Sequence, residues 1–164
     1  MPMDWRTAYF QQAHSDYSVL LKMIKDESIP LCHCLHYLQM TTEKLAKGFN
    51  TPPGAGPHEK THNAFLRFVA SGAERNLRLK AACGFTDTVQ YRQYLISLRS
   101  LAQKIENLSP EGEDHPNPEY PWQQGVEILV PVSYPFRELS LRQQSLKMVE
   151  MLRFIDTYFS IVYI

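Results

Sequence analysis

Between Thr86 and Leu108, apolar side chains recur on one helical face: Val89, Tyr94, Leu95, Leu98, Leu101, Ala102, Ile105 and Leu108. A strand alternates its faces every second residue and cannot bury such a set, so the stretch must be an amphipathic helix packed against other helices. Thr86 and Asp87 supply its N-cap. The rest of the chain repeats the pattern. Trp5, Tyr9, Ala13, Leu20 and Ile24 predict a helix from Asp4 to about Asp26. Leu31, Leu35, Leu38, Leu45 and Phe49 predict a second that opens with Pro30 at its first position and ends near Gly48 and Asn50.

A third, shorter helix is expected from Thr61 to Ala70 with Ala64, Phe65, Phe68 and Val69 inward, interrupted at Ser71 and Gly72 and resuming from Glu74 to Ala82, with Gly84 as its end. The last helix is expected from Glu138–Ser140 to the end of the chain, with Leu141, Leu146, Val149, Leu152, Ile155, Phe159 and Val162 inward. Two segments break the pattern. Residues 51–60 contain Pro52, Pro53, Gly54, Gly56 and Pro57, which cannot continue a helix. Residues 109–137 hold six of the eleven prolines and include a short extended stretch at Val126–Val130 without an evident sheet partner. Long loops of this kind are often functional. The expected fold is all-α: one domain over residues 1–164, an up-and-down bundle of about five helices with a long Pro-rich loop before the last.

The 164 residues suffice for a real core without disulfide or metal staples, and 44% apolar with 21% charged residues is a globular composition. The apolar stretches are interrupted too often for a membrane span, and residues 1–10 lack the apolar run of an export signal. Cys32, Cys34 and Cys83 cannot all pair, which points to a reducing compartment and a cytoplasmic protein. Seventeen basic residues balance seventeen acidic ones, which excludes a uniformly basic nucleic-acid binder. Locally, however, Lys60, Arg67, Arg75, Arg78 and Lys80 face a single Glu74, a phosphate-contacting surface in one reading and a solvated helix face paired with acidic neighbours in the other. The closing run Ile161–Ile164 is apolar and needs cover from the bundle or from a second copy, so a homodimer is expected.

Residues 36–49, HisTyrLeuGlnMetThrThrGluLysLeuAlaLysGlyPhe, carry a Gln followed four residues later by a Glu-Lys pair and then by another Lys: Gln39, Glu43, Lys44 and Lys47. Before them lies a long helix with Tyr9, Phe10, Ala13 and Asp16; after them come a Pro/Gly loop and His62. Over residues 4–70 this resembles the HEPN superfamily of helical proteins. The resemblance implies a module that binds a nucleotide, RNA or a partner nucleotidyltransferase, commonly as a dimer, in toxin-antitoxin or phage-defence systems. No cofactor is expected. Catalytic HEPN members are similar in carrying an Arg, four to six residues and a His near the start of a late helix, with His as general base and Arg on the phosphate. Here the pattern is missing: Arg6 and His14 are spaced too widely and lie in the first helix, and Arg99 is the nearest arginine upstream of His115. The reading leans away from an enzyme. A divergent metal-independent ribonuclease using His62 or His115 with Arg67, Arg75 or Arg78 stands as the alternative, and a structural assembly subunit as a second.

His36, Gln39, Glu43 and Lys47 fall along one polar stripe of the second helix, either lining a ligand groove or forming a plain surface ion pair. Cys32 and His36 lie one turn apart, with His58 or His62 as conceivable further ligands, but the closed Cys/His spacing of a structural zinc site is missing and no metal is expected. Prolines 116, 118 and 121 restrain Tyr120 and Trp122, which either stack on a base or brace the bundle end.

Overall fold

The computed structural model describes residues 3–58, 63–110 and 115–162. The fold is all-α, with six α-helices and one two-stranded hairpin among the described residues. α1 (Trp5–Met23) starts where Asp4 accepts a hydrogen bond from the Thr7 N–H at 2.8 Å. It stops short of the predicted Asp26 because the Asp26 carboxylate takes the Ser28 N–H and hydroxyl, at 3.0 and 2.6 Å, and turns the chain. α2 (Leu31–Asn50) follows with Pro30 at its N-cap, in extended conformation, one position earlier than expected. The two helices form an antiparallel hairpin: Phe10 packs against Gly48, and Asp16 meets Lys44.

α3 (Ala64–Arg67) does not break at Ser71 and Gly72 as predicted. The winding loosens into a π turn over Phe68–Gly72, in which the Ala73 N–H reaches the Phe68 carbonyl, and then tightens into a 3-10 turn at Ala73–Arg75. α4 (Leu77–Ala82) is capped by Asn76 and closes with Gly84 N–H on Ala81 O and Phe85 N–H on Lys80 O, the paired bonds of a Schellman end. α5 (Thr88–Glu106) begins at Asp87, whose carboxylate accepts the Gln90 N–H at 2.8 Å. The Pro-rich segment then contains a hairpin absent from the sequence expectation: β1 (Trp122–Gln124) pairs antiparallel with β2 (Glu127–Leu129). Gly125, at φ +63°, takes the first central position of the connecting turn, which side chains rarely tolerate there. α6 (Leu146–Val162) starts later than predicted because Phe136, Ser140 and Gln144 all adopt left-handed backbone, which no helix continues through.

Most of the predicted inward residues are buried, among them Ala13, Leu20 and Ile24 in the first helix and Leu95, Leu98, Leu101, Ala102 and Ile105 in α5, and the faces differ from the predicted ones at particular positions. In α1 the buried set is Phe10, Ala13, Asp16, Tyr17 and Leu20, while Trp5 is exposed. In α5, Val89 faces solvent and Tyr91 is buried, its hydroxyl donating to Ala73 O at 3.1 Å. In α6, Leu146 is exposed and Met148, Met151, Phe154, Ile155, Tyr158 and Phe159 fill the core. Phe68 is the aromatic hub, with ring centroids of Phe49, Tyr158, Phe154 and Phe65 within 4.8 to 6.3 Å. Arg142 ties the segment before α6 to the α1–α2 turn by donating to the carbonyls of Asp26 and Ile29. No helix of the described residues is long and apolar enough to cross a membrane.

Candidate functional site

The polar stripe of α2 meets α1 through its lysines. Lys44 Nζ lies 2.5 Å from Asp16 Oδ2, and Gln12 donates to the other oxygen of that carboxylate at 2.9 Å. Gln39 donates to Glu43 Oε2 at 3.1 Å, and Lys47 pairs with Glu43 Oε1 at 2.8 Å. Lys47 also sits over the Tyr9 ring, 5.9 Å from its centroid, while the Tyr9 hydroxyl engages the His58 backbone. His36 Nδ1 is 3.3 Å from Glu119 Oε1, close enough for an ion pair when the ring is protonated but not angled as a hydrogen bond. Of the predicted set, Gln39, Glu43 and Lys47 are joined along α2 and Lys47 also meets Tyr9 of α1, while His36 faces Glu119. Gln39 is itself buried.

The basic stretch behaves differently. Its one carboxylate, Glu74, is taken by Arg92 of α5 at 2.6 Å, and Lys80 donates to the Thr88 hydroxyl at 2.9 Å. Arg67, Arg75 and Arg78 are exposed and have no carboxylate partner among the described residues. Arg67 and Arg75 line a cleft of about 440 Å³ with Phe49, Asn50, His58, Phe68, Ser71 and Gly72. A second hollow of about 470 Å³ shares Phe49, Gly72 and Arg75 and adds Asn76, Leu77 and Arg78. The π turn shapes this wall: Ser71 Oγ donates to Arg67 O at 3.1 Å, and Arg75 Nε to Ser71 O at 3.4 Å. Gly72 is required by close approach, because a Cβ there would stand 2.7 Å from the Phe49 ring. Guanidinium forks without carboxylate partners, beside Asn and Ser side chains and an aromatic wall, suit phosphate oxygens.

The other predicted residues separate. His115 lines a different hollow, with Lys104, Asn107 and Glu138, and its Nε2 lies 3.1 Å from Ser109 O; no contact joins it to Arg67. Lys60, Thr61, His62, Tyr163 and Ile164 lie outside the described residues. Of the two readings of Trp122, a base-stacking ring or a brace, its burial fits the brace. It is 2% exposed and sits edge-on to Tyr134 with centroids 4.8 Å apart, which leaves no face for a base. Tyr120 is exposed, held by a turn in which buried Asn117 accepts its N–H at 2.8 Å. Cys32 and Cys34 are buried, and burial raises both thiols; Cys83 is pushed up to about 11 by the same cause, so all three stay protonated near neutrality. No cluster of three or more His, Cys, Asp or Glu side chains able to hold a metal exists among the described residues.

Sequence reasoning missed Phe49, Asn50, Ser71, Gly72 and Asn76 as site residues and treated His58 only as a conceivable metal ligand. The signal was available in Arg67, Ser71, Arg75 and Arg78, polar residues recurring every three or four positions beside a single acid, Glu74. No protein-family model, no curated protein and no solved structure matches the chain.

Proposed function

We propose that this protein is a HEPN-like helical binding module that takes the phosphate groups of a nucleotide or RNA in the cleft of Arg67, Arg75 and Arg78. The observation that carries the reading is the pairing pattern: Glu74 is committed to Arg92, and no carboxylate among the described residues neutralises the three arginines that rim the hollows. Of the two histidines named for a ribonuclease, His115 lines a hollow of its own, away from the arginine cleft, and His62 lies outside the described residues. The α1–α2 hairpin, with Lys44 on Asp16 and Lys47 over the Tyr9 ring of α1, supports the HEPN-like assignment. From that assignment follow a cytoplasmic homodimer, a nucleotidyltransferase partner and a place in a toxin-antitoxin or phage-defence system.

The test is a melting experiment on the full chain with ATP, GTP and a mixed-sequence RNA, repeated on Arg67→Gln/Arg75→Gln. A ligand-dependent rise in Tm that the double variant loses, while melting normally by itself, is the expected result. The absence of any rise with all three ligands overturns the reading. Light scattering on the eluted protein checks the homodimer.

A further inference from the structure

The arginine cleft does not end at Arg78. A third hollow of about 340 Å³ is lined by Asn76 and Arg78, both shared with the second, and continues to Arg6, Thr7, Phe10 and Tyr158 at the start of α1 and the end of α6. The first and second hollows are likewise joined through Phe49, Gly72 and Arg75. Three cavities that share walls in sequence form one track, with Arg67, Arg75, Arg78 and Arg6 spaced along it and no Asp or Glu among the described lining residues. Aromatic surface lies beneath each portion: Phe49 and Phe68, then Phe49 again, then Phe10 and Tyr158. Phe49 is the half-buried ring that borders two hollows, and Arg6 lies over the Phe10 ring at 5.8 Å.

A mononucleotide occupies one such hollow and leaves the other arginines uncompensated. A duplex keeps its bases inside its stack and has no use for Phe49. A flexible single strand presents successive phosphates to successive arginines and turns a base onto the open edge of the half-buried ring, the combination by which single-stranded nucleic acid is held without sequence preference. Resting on the phosphate-binding reading above, we infer that the ligand is a single-stranded oligonucleotide running from Arg67 to Arg6, with one base stacked on Phe49.

Fluorescence anisotropy with labelled oligouridines tests this directly. An oligomer of about ten nucleotides is expected to bind at least about tenfold tighter than a dinucleotide and than a duplex of equal length, with a log–log salt slope of about −3 from four neutralised phosphates. Arg6→Gln should weaken the long oligomer several-fold and leave the dinucleotide unchanged, and Arg6→Lys should restore the loss. Phe49→Leu, which keeps apolar volume beside Gly72, should cost the long oligomer about tenfold. Equal affinity for dinucleotide and long oligomer, or for duplex and single strand, overturns the inference; if Arg67→Gln/Arg75→Gln still abolishes binding, the phosphate-binding reading survives it. Binding that is indifferent to Arg67→Gln/Arg75→Gln overturns both.

Discussion

The α1–α2 seam and the arginine track carry similar densities of charge and use them in opposite ways. In the seam every cation has a local partner: Lys44 meets Asp16, and Lys47 meets Glu43 and the Tyr9 ring. Along the basic stretch the one carboxylate, Glu74, has been drawn off by Arg92, and the guanidinium groups of Arg67, Arg75 and Arg78 remain in solvent. The first arrangement holds two helices in register. The second leaves electrostatic energy to be released when an anion arrives. Charge content does not distinguish the two regions; pairing does.

The sharpest way to break this contrast is to neutralise the track. Arg67→Gln/Arg75→Gln/Arg78→Gln should lower affinity for the long oligouridine about 100-fold, with stability within about 0.5 kcal/mol of the parent, since none of the three is buried. Titration and urea melts read the two effects separately. Next is Asp16→Ala. It strands the Lys44 ammonium in a seam where that side chain is only 19% exposed; the loss should be about 2 kcal/mol in urea unfolding, below the fully buried case because some solvent remains. Adding Lys44→Met to that variant should recover part of the loss without altering ligand affinity.

Smaller still is Gly72→Ala, which belongs to both stability and binding. Its new methyl meets the Phe49 ring at 2.7 Å and must push it, costing about 1 kcal/mol and narrowing the hollow that Phe49 borders. Stability and oligomer affinity should fall together, unlike in either earlier variant. The mildest effect belongs to acid. The Asp4 carboxyl is held below its usual value of 3.8, first by its hydrogen bonds from Thr7. A depressed carboxylate contributes stability above its unfolded pKa and loses it as pH falls through the folded one. Asp4→Asn keeps a capping oxygen, so it should leave Tm near neutrality almost unchanged and flatten the fall of Tm below about pH 4.

The helices were legible where periodicity and caps agreed. Asp4 and Asp87 are N-caps as expected, and Ala64, Phe65, Phe68 and Val69 are all buried as expected. Prediction failed where local chemistry overrode the pattern. The Asp26 carboxylate ends α1 early, and left-handed residues at 136, 140 and 144 delay α6, neither of which leaves a periodic trace. Faces were misassigned at helix starts, where Trp5, Val89 and Leu146 stay exposed despite their apolar character. As for the site, the basic stretch was readable from composition alone. That Glu74 would turn to Arg92 rather than to its neighbours, and that Arg6 would join the track from the far end of the chain, depends on tertiary placement.

The π turn at Phe68–Gly72 sets an angular phase between Arg67 and the arginines that follow it. A π turn accommodates one residue more per turn than an α-helix, so everything beyond Gly72 is rotated relative to a regular continuation. The extra residue is absorbed within that turn, so deleting Ala70 should let the winding close as ordinary α-helix and leave Arg75 facing as before, whereas regular winding through all the same residues would carry it about 100° around the axis. The π turn thus sets the face on which Arg75 meets Arg67 along the cleft wall.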